Sequence, residues 1–388
     1  MSQLPVLIVG AGISGLVLAQ HLTRLNVPFQ IFERDATVDT RDGGWGLTLH
    51  KALPALRQLL PADLLARLPE TYVNHATTTH SDPGRFPFFD LKSGQALYHI
   101  PAAERIRVSR RRLRQLLTHG IDIQWNKSLQ RIESTADTVT VHFDDHSSCT
   151  GHLLLSCDGA HSPTRHILYP DAALNVLPIH LLGATTDYTT EELHGAQEID
   201  PSIFHGAHPD SNTYLFFSFL ETPHLPTKPY HCQLILSWSE STNLTIPPSN
   251  TARLALMKSL TDNWAQPFRA LIQQLPEQTE VRSIRVADWI FSPDQVREHP
   301  RVVLLGDAAH TMTMFRGEGA NHAIMDVQDL VSRVDFQGRT WTVAALRDYE
   351  REIFTRAVTA VVNSRQACLD AHDFQAILNG SPLVARRN

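Results

Sequence analysis

Three short stretches hold residue types that do chemistry together. Gly10-Ala11-Gly12-Ile13-Ser14-Gly15 follows the apolar run Val6–Val9 and precedes a segment with helical spacing at Leu18, Leu22 and Leu25. In a strand–turn–helix of this kind the first glycine makes the tight turn and the second lets a pyrophosphate approach the backbone. The third lets helix and strand pack closely. A second apolar run, Phe29–Phe32, ends in Glu33, 18 residues after Gly15, and an acid there suits a ribose 2′-hydroxyl. The same acid disfavours a 2′-phosphate, so the expected bound dinucleotide is FAD or NAD rather than NADP.

The second stretch is Leu304-Leu305-Gly306-Asp307-Ala308-Ala309-His310 with the turn Phe315-Arg316-Gly317-Glu318-Gly319-Ala320-Asn321 behind it. It reads as a buried strand from Val302, an acid at its carboxyl end, a loop, and a helix from about Gly319. Strand ends of open α/β sheets are where ligands bind, and a helix start offers free N–H groups and a positive dipole end. Asp307 is placed to accept from a sugar hydroxyl; taken alone it is equally a turn-capping acceptor. The third stretch, Cys157-Asp158-Gly159-Ala160-His161-Ser162-Pro163-Thr164-Arg165, repeats the pattern: strand end, Asp-Gly turn, and a helix start with Ser162 as its cap.

Other candidates are weaker. The glycine-rich segment from Arg41 to His50 suits a loop passing close to a flat ligand, with Gly46 allowing the approach, or an ordinary turn. Six arginines (105, 107, 110, 111, 112, 114) fall in and before a segment with Leu113, Leu116 and Leu117 at helical spacing and Ser109 as a helix cap. The pattern predicts an amphipathic helix with a basic, mostly solvated outer face, and Arg110, in its first turn, is the one placed on a ligand. His50, His205 and His231 are the candidate acid–base side chains, each more readily explained as a structural histidine. Met312, Met314 and Phe315 line a substrate or fill core gaps.

The elements that must position these residues alternate between two textures. Up to about Pro170, short apolar runs alternate with helical segments, and four short strands are expected at 121–125, 129–132, 138–143 and 152–156. A hairpin is expected within 71–99, turning at Lys92-Ser93-Gly94. From Pro170, alternating strands appear at 180–186, 213–220 and 231–239. In the last of them Cys232, Leu234, Leu236 and Trp238 face one side and His231, Gln233, Ile235 and Ser237 the other, the mark of an antiparallel sheet. Helices are expected at 51–60, at 252–275 with a break before Pro267, at 323–334 and, long, at 342–371.

Composition bounds the function classes. The chain has 388 residues, 42% hydrophobic and 19% charged, enough for two or three domains with a large core. A net charge of −6 argues against bulk nucleic-acid binding. The four cysteines form no CxxC pair, so neither a zinc site nor a disulfide framework is expected, and a reducing, cytoplasmic setting fits. No basic region precedes Val6 and no run of about 18 apolar residues occurs, so neither a signal peptide nor a membrane span is expected.

The three motifs, in this order, closely resemble those of the FAD-dependent class A flavoprotein monooxygenases, which include para-hydroxybenzoate and salicylate hydroxylases and tetracycline-inactivating monooxygenases. The resemblance covers the chain except residues 170–285, where it is architectural. It implies an α/β fold: a Rossmann-like FAD-binding domain (1–70, 100–169 and 286–335), an inserted, mainly antiparallel β-sheet substrate domain (71–99 and 170–285), and a C-terminal helical segment (336–388). By motif, Gly10, Gly12 and Gly15 would take the FAD pyrophosphate and Glu33, with Arg34 beside it, the adenosine ribose. Gly46 would lie along the flavin. Arg110 matches the arginine of the family's Arg-x-x-Leu helix, and Asp158 the acid implicated in FAD and NAD(P)H handling. Asp307 matches the acid on the ribityl chain, and Gly319, Ala320 and Asn321 the turn under the isoalloxazine. The implied reaction uses NAD(P)H as a transient co-substrate and O2, with a C4a-hydroperoxyflavin passing one oxygen to a small molecule. The chain departs from the family in having Thr311 and Met314 in a stretch that usually carries prolines, which predicts a less stiffened loop.

Between Arg165 and Arg253 there is no arginine and a single lysine, Lys228, against nine acids. An anionic substrate buried there would lack a partner, so a largely apolar, net neutral aromatic or polycyclic secondary metabolite is expected. Arg85, Lys92 and Arg316 are the cations placed to reach the same pocket from elsewhere. Two other readings stay open on these residues: an NAD-linked dehydrogenase or reductase, which explains only the first motif, and a flavin-binding regulatory protein without turnover.

Overall fold

The computed structural model describes residues 4–40, 44–74, 86–100, 104–193, 195–223, 228–292, 299–338 and 341–385. Its organising layer is a five-stranded parallel sheet in the order Val302–Leu304, Leu153–Ser156, Val6–Val9, Phe29–Phe32, Ile123–Gln124. Val6, Leu7, Ile8, Leu153, Leu154, Leu155, Val302 and Val303 are wholly buried, the continuous apolar runs of strands covered on both faces. Register brings the motifs together. Val9 pairs with both Ser156 and Phe32, and Ser156 with Leu304. Gly10, Glu33, Cys157-Asp158 and Leu305-Gly306-Asp307 therefore leave the sheet at one edge, although they are far apart in the chain.

The second layer is a seven-stranded sheet in the order Val281–Ser283, Ile179–Tyr188, Tyr230–Ser239, Tyr214–Glu221, Ile203–Ala207, Pro87–Asp90, Ala96–His99. All pairings are antiparallel except that of Ile203–Ala207 with Pro87–Asp90. Alternation sorts its faces: Leu215, Phe217, Leu234 and Leu236 pack in one core with Phe268 and Ile272, while Tyr214 and Ile235 pack in another with Phe315 and Ala367. The hairpin turning at Lys92-Ser93-Gly94 is present, and its turn is tied by Asp90, which accepts from Lys92 N and Ser93 Oγ. Ile203–Ala207 and Ser148–Gly151 are strands the sequence pattern did not announce.

Two helices close the molecule behind the parallel sheet. Gly319–Arg333 buries Asn321, Ala323, Ile324, Val327 and Leu330. The 28-residue helix Val343–Asp370 starts at Thr342, whose side chain accepts from Ala345 N. It buries Leu346, Tyr349, Ile353, Ala357, Val361 and Ser364, the three- and four-residue spacing of one face. Among the described residues no helix is long and apolar enough to cross a membrane.

The arginine run corrects an expectation. The helix Arg110–Leu117 forms where expected, with Ser109 Oγ accepting from Arg112 N. Its face is not mostly solvated, however. Arg105, Arg107 and Arg114 are buried, Arg110 and Arg112 half-buried, and only Arg111 of the six is exposed. The physical reason is that buried acceptors meet them. Arg114 donates to Ala11 O and Val38 O and lies 3.4 Å from Glu33 and 3.5 Å from Asp35. Arg107, on the strand Ile106–Ser109, donates to Thr48 and Ser218.

Candidate active site

One cavity of about 830 Å³ runs from the edge of the parallel sheet to the face of the antiparallel one. Gly10, Gly12, Glu33, Arg34, Gly46, Arg110, Asp158, Asp307, Gly319 and Ala320 all line it. So do Met312, Met314 and Phe315, the last also part of a core cluster.

At the sheet edge the glycines have different jobs. Gly10 has φ +103°, and a Cβ there would lie 2.3 Å from Cys157 O; a Cβ on Gly15 would lie 2.0 Å from Gly10 O. These two are demanded by chain packing. Gly12 is not: a Cβ there meets nothing closer than Cys157 O at 3.9 Å and would project into the cavity. Gly12 is also the N-cap of the helix Ile13–Arg24, and no side chain caps that helix. The open N–H groups and dipole end form an anion cradle. Glu33 lies beside it, its carboxylate accepting from Ala11 N at 2.8 Å and Asp35 N at 3.0 Å. Arg34 is exposed at the rim.

Asp307 is the clearest ligand acceptor. Its carboxylate faces the cavity, is exposed there, and makes no hydrogen bond to any described residue. The surrounding body of the protein desolvates it and pushes its pKa up from the ordinary value, against the pull of His310 and Arg110. Its backbone is held from several sides. Asp307 O accepts from Thr311 Oγ1 at 2.6 Å and from Arg165 Nη1 at 3.4 Å. Arg165 is fully buried, also donates to Ala160 O, and lies with its guanidinium 4.8 Å from the Trp289 ring centroid. It thereby ties the Asp158-Gly159 turn to the Gly306-Asp307 turn. Asp158 itself accepts from Thr164 N at 3.1 Å, and Ser162 caps the following helix as expected, accepting from Arg165 N at 2.8 Å.

Where prolines were expected to be missed, hydroxyls hold the loop. Besides Thr311, Thr313 Oγ1 donates to Ser364 O and Ser364 Oγ to Thr313 O, both at 2.6 Å. Behind Asp307 lies a buried ionic cluster. His310 Nε2 meets Asp326 Oδ2 at 2.6 Å, and Arg356 bridges Asp326 and Asp329 at 2.6 and 2.9 Å. Burial lowers the His310 pKa but Asp326 overrides it and raises it; His322, desolvated and near His310, falls to about 3. At the mouth of the helix Gly319–Arg333, Glu318 pairs with Lys51 at 2.8 Å and Arg316 at 2.9 Å. Burial alone would push its pKa up, but these two cations bring it down to about 2.

Several predicted residues fall elsewhere. The Asn321 side chain turns away from the cavity: it donates to Thr48 O and accepts from His50 N, locking that helix to the strand Gly46–Leu49. The space over Gly46 is filled by the Arg107 guanidinium, 2.3 Å from where a Cβ would stand. None of the candidate histidines lines the cavity: His50 sits in the turn held by Asn321, His205 stacks on Phe86 and bonds Tyr214, and His231 pairs with Asp187 at 2.7 Å. Lys92 pairs with Asp210 at the surface and Arg316 with Glu318, so neither reaches the cavity; Arg85 lies outside the described residues. Arg107 does reach it, and so does Arg282. Sequence reasoning missed Arg107, Arg114, Arg165 and Asp326; the signals were strand alternation through Ile106 and Val108, and the four-residue step from Arg110 to Arg114.

The site fits a dinucleotide: an uncapped helix start at an open glycine, an acid beside it, and a second acid facing the cavity next to another helix start without a side-chain cap. Comparisons with known proteins agree. Residues 3–364 match the family model described as FAD binding domain. The chain is 42% identical to the FAD-dependent monooxygenase dbaB of Emericella nidulans over 83% of this chain and 84% of the relative. It is 36% identical to the FAD-dependent monooxygenase tazP of Aspergillus terreus over 84% and 88%. Among solved structures, Klebsiella pneumoniae HpxO complexed with FAD and uric acid superposes with a TM-score of 0.76 at 22% identity, covering 97% of this chain and 91% of that one.

Proposed function

The chain belongs to the FAD-binding-domain family of FAD-dependent monooxygenases, and on that premise we propose that it uses NAD(P)H and O2 to oxygenate a largely apolar, net neutral aromatic or polycyclic molecule of secondary metabolism. The observation that supports this reading is a cavity of about 830 Å³ that joins the dinucleotide cradle to the face of the antiparallel sheet at Phe216. When bound, FAD supplies hydride acceptance and oxygen activation.

The chain's own residues bind, orient and exclude water. The turn Gly10–Gly15 and the start of the helix Ile13–Arg24 would hold the pyrophosphate, with Glu33 and Arg34 at the adenosine ribose and Asp307 on the ribityl chain. Gly319 and Ala320 would set helix N–H groups and a positive dipole end where negative charge develops on the flavin ring. Arg110, close enough to act on Asp307, adds a cation at the same place. Asp158 would assist the cofactor by fixing its own turn. Residues 1–70, 100–169 and 286–335 would carry the cofactor, 71–99 and 170–285 the substrate wall, and 336–388 the brace behind both. Phe86, Phe216, Met312 and Met314 make that wall apolar, which keeps water from the reacting centre. NAD(P)H would bind transiently, since only one GxGxxG unit follows a strand and opens a helix.

The test is direct. Purified protein is expected to carry FAD, and aromatic compounds that are substrates to accelerate NADPH or NADH oxidation with uptake of O2. Release of FMN, or no uptake of FAD, would exclude the reading. Matched acid and methyl-ester analogues test substrate charge: a tenfold higher kcat/KM for the acid, about 1.4 kcal/mol, would overturn neutrality and point to Arg107 or Arg282.

A further inference from the structure

Gln233 stands in the middle of the strand Tyr230–Ser239, is 3% exposed, and lines the cavity. Its amide makes no hydrogen bond to any described residue. Two serines on the same face are engaged. Ser218, directly opposite in register, accepts from Arg107 and donates to Phe219 O, and Ser237, four residues on, bonds His372. Around it the wall mixes apolar residues with the guanidinium groups of Arg107 and Arg282: Ile203 pairs with Ser218, and Phe216 with Ile235. The residue as a whole is buried, yet its amide keeps solvent access along the cavity it lines, so a ligand group entering there can meet it.

We infer that Gln233 is a specificity-determining residue that hydrogen-bonds a hydroxyl on an aromatic ring of the substrate. The assignment rests on reading this cavity as the monooxygenase's substrate chamber. An amide presents a donor and an acceptor side by side, and a hydroxyl answers both. A carboxylate would answer only the donor and set its charge against the amide oxygen. Arg107 also lines the cavity but offers donors only, with one N–H of each Nη given to Thr48 and Ser218, so it cannot answer a hydroxyl as both donor and acceptor. The ring carrying the hydroxyl would lie against Phe216 and the Met312 thioether, both on the cavity wall.

The experiment titrates FAD-loaded protein with 2-naphthol and 2-methylnaphthalene, which share a shape but exchange a hydroxyl for a methyl, and reads the flavin absorbance difference. The wild type is expected to bind 2-naphthol at least tenfold more tightly. In Gln233→Met, and in Gln233→Leu as a second variant, the preference should fall to threefold or less, chiefly by weaker naphthol binding. A wild type that loads FAD but shows no preference, including one that binds neither compound, overturns the role of Gln233, as does a preference that survives in a variant that loads FAD. A wild type that takes up no FAD overturns the monooxygenase reading instead.

Discussion

Oδ2 of Asp326 accepts from two partners at once, the Gly306 N–H at 2.7 Å and His310 Nε2 at 2.6 Å. One carboxylate on the helix Gly319–Arg333 therefore grips both ends of the turn that presents Asp307. Arg356, from the long C-terminal helix, holds its other oxygen.

Asp326→Asn should be strongly destabilising. It leaves His310 buried without its anion and Arg356 with Asp329 alone, and breaking a buried pair costs about 3–5 kcal/mol. Urea denaturation of the protein stripped of FAD measures this directly; a loss under about 1 kcal/mol would show that the cluster does not brace the turn.

Asp307→Asn should spare the fold and weaken the cofactor. The carboxylate has no hydrogen bond to a described residue to lose. A charged hydrogen bond to a ligand is worth about 1.5–3 kcal/mol, so FAD affinity should drop by about ten- to hundredfold. Fluorescence titration of the stripped protein with FAD reads it, and equal affinity would remove Asp307 from the site.

The glycines should separate. Gly12→Val, whose side chain enters open cavity, is expected to abolish FAD uptake while the melting temperature of the FAD-free protein changes little. Gly10→Ala and Gly15→Ala press a Cβ into backbone at 2.3 and 2.0 Å and should lower that melting temperature outright. Identical behaviour of the three would contradict the division of roles.

Stability should fall as pH drops from about 6.5 to 4. Burial lowers the pKa of His322 to about 3 and of His372 to about 4, so each is neutral when folded but takes up a proton on unfolding below its ordinary pKa. Each contributes a slope of about 1.4 kcal/mol per pH unit in that window. His310, raised by Asp326, works the other way, but above pH 6.5; Asp307, raised by desolvation, opposes the trend only around and above the ordinary Asp value. Urea midpoints at pH 6.5, 5.5 and 4.5 should decline, and His372→Gln should flatten the decline. A rising midpoint would show these histidines to be protonated in the folded state.

The strand ends and their turns were legible because each motif is contiguous: strand, special residue and helix start lie within a dozen residues. Arg107, Arg114 and Gln233 were not legible in their roles, because a polar side chain in an alternating or helical pattern reads as solvated until its partner is known. Glu33 and Asp35 meet Arg114 only through tertiary packing, and Ser218 meets Arg107 only because two sheets face each other. The strand Ile203–Ala207 was hidden by Gly206, which sits where a Cβ would strike Phe89 O at 2.6 Å. Ser148–Gly151 was hidden by its small, mostly polar residues.

The grip of Arg356 and Ser364 on the Asp307 loop has a consequence for biosynthesis. Gly10–Gly15 is made before the Asp307 loop, and Arg356 and Ser364 are made after it. A nascent chain arrested before Arg356 would present the dinucleotide with a phosphate cradle but an unbraced ribityl loop. Firm cofactor retention is therefore expected only once the chain has been made through Ser364.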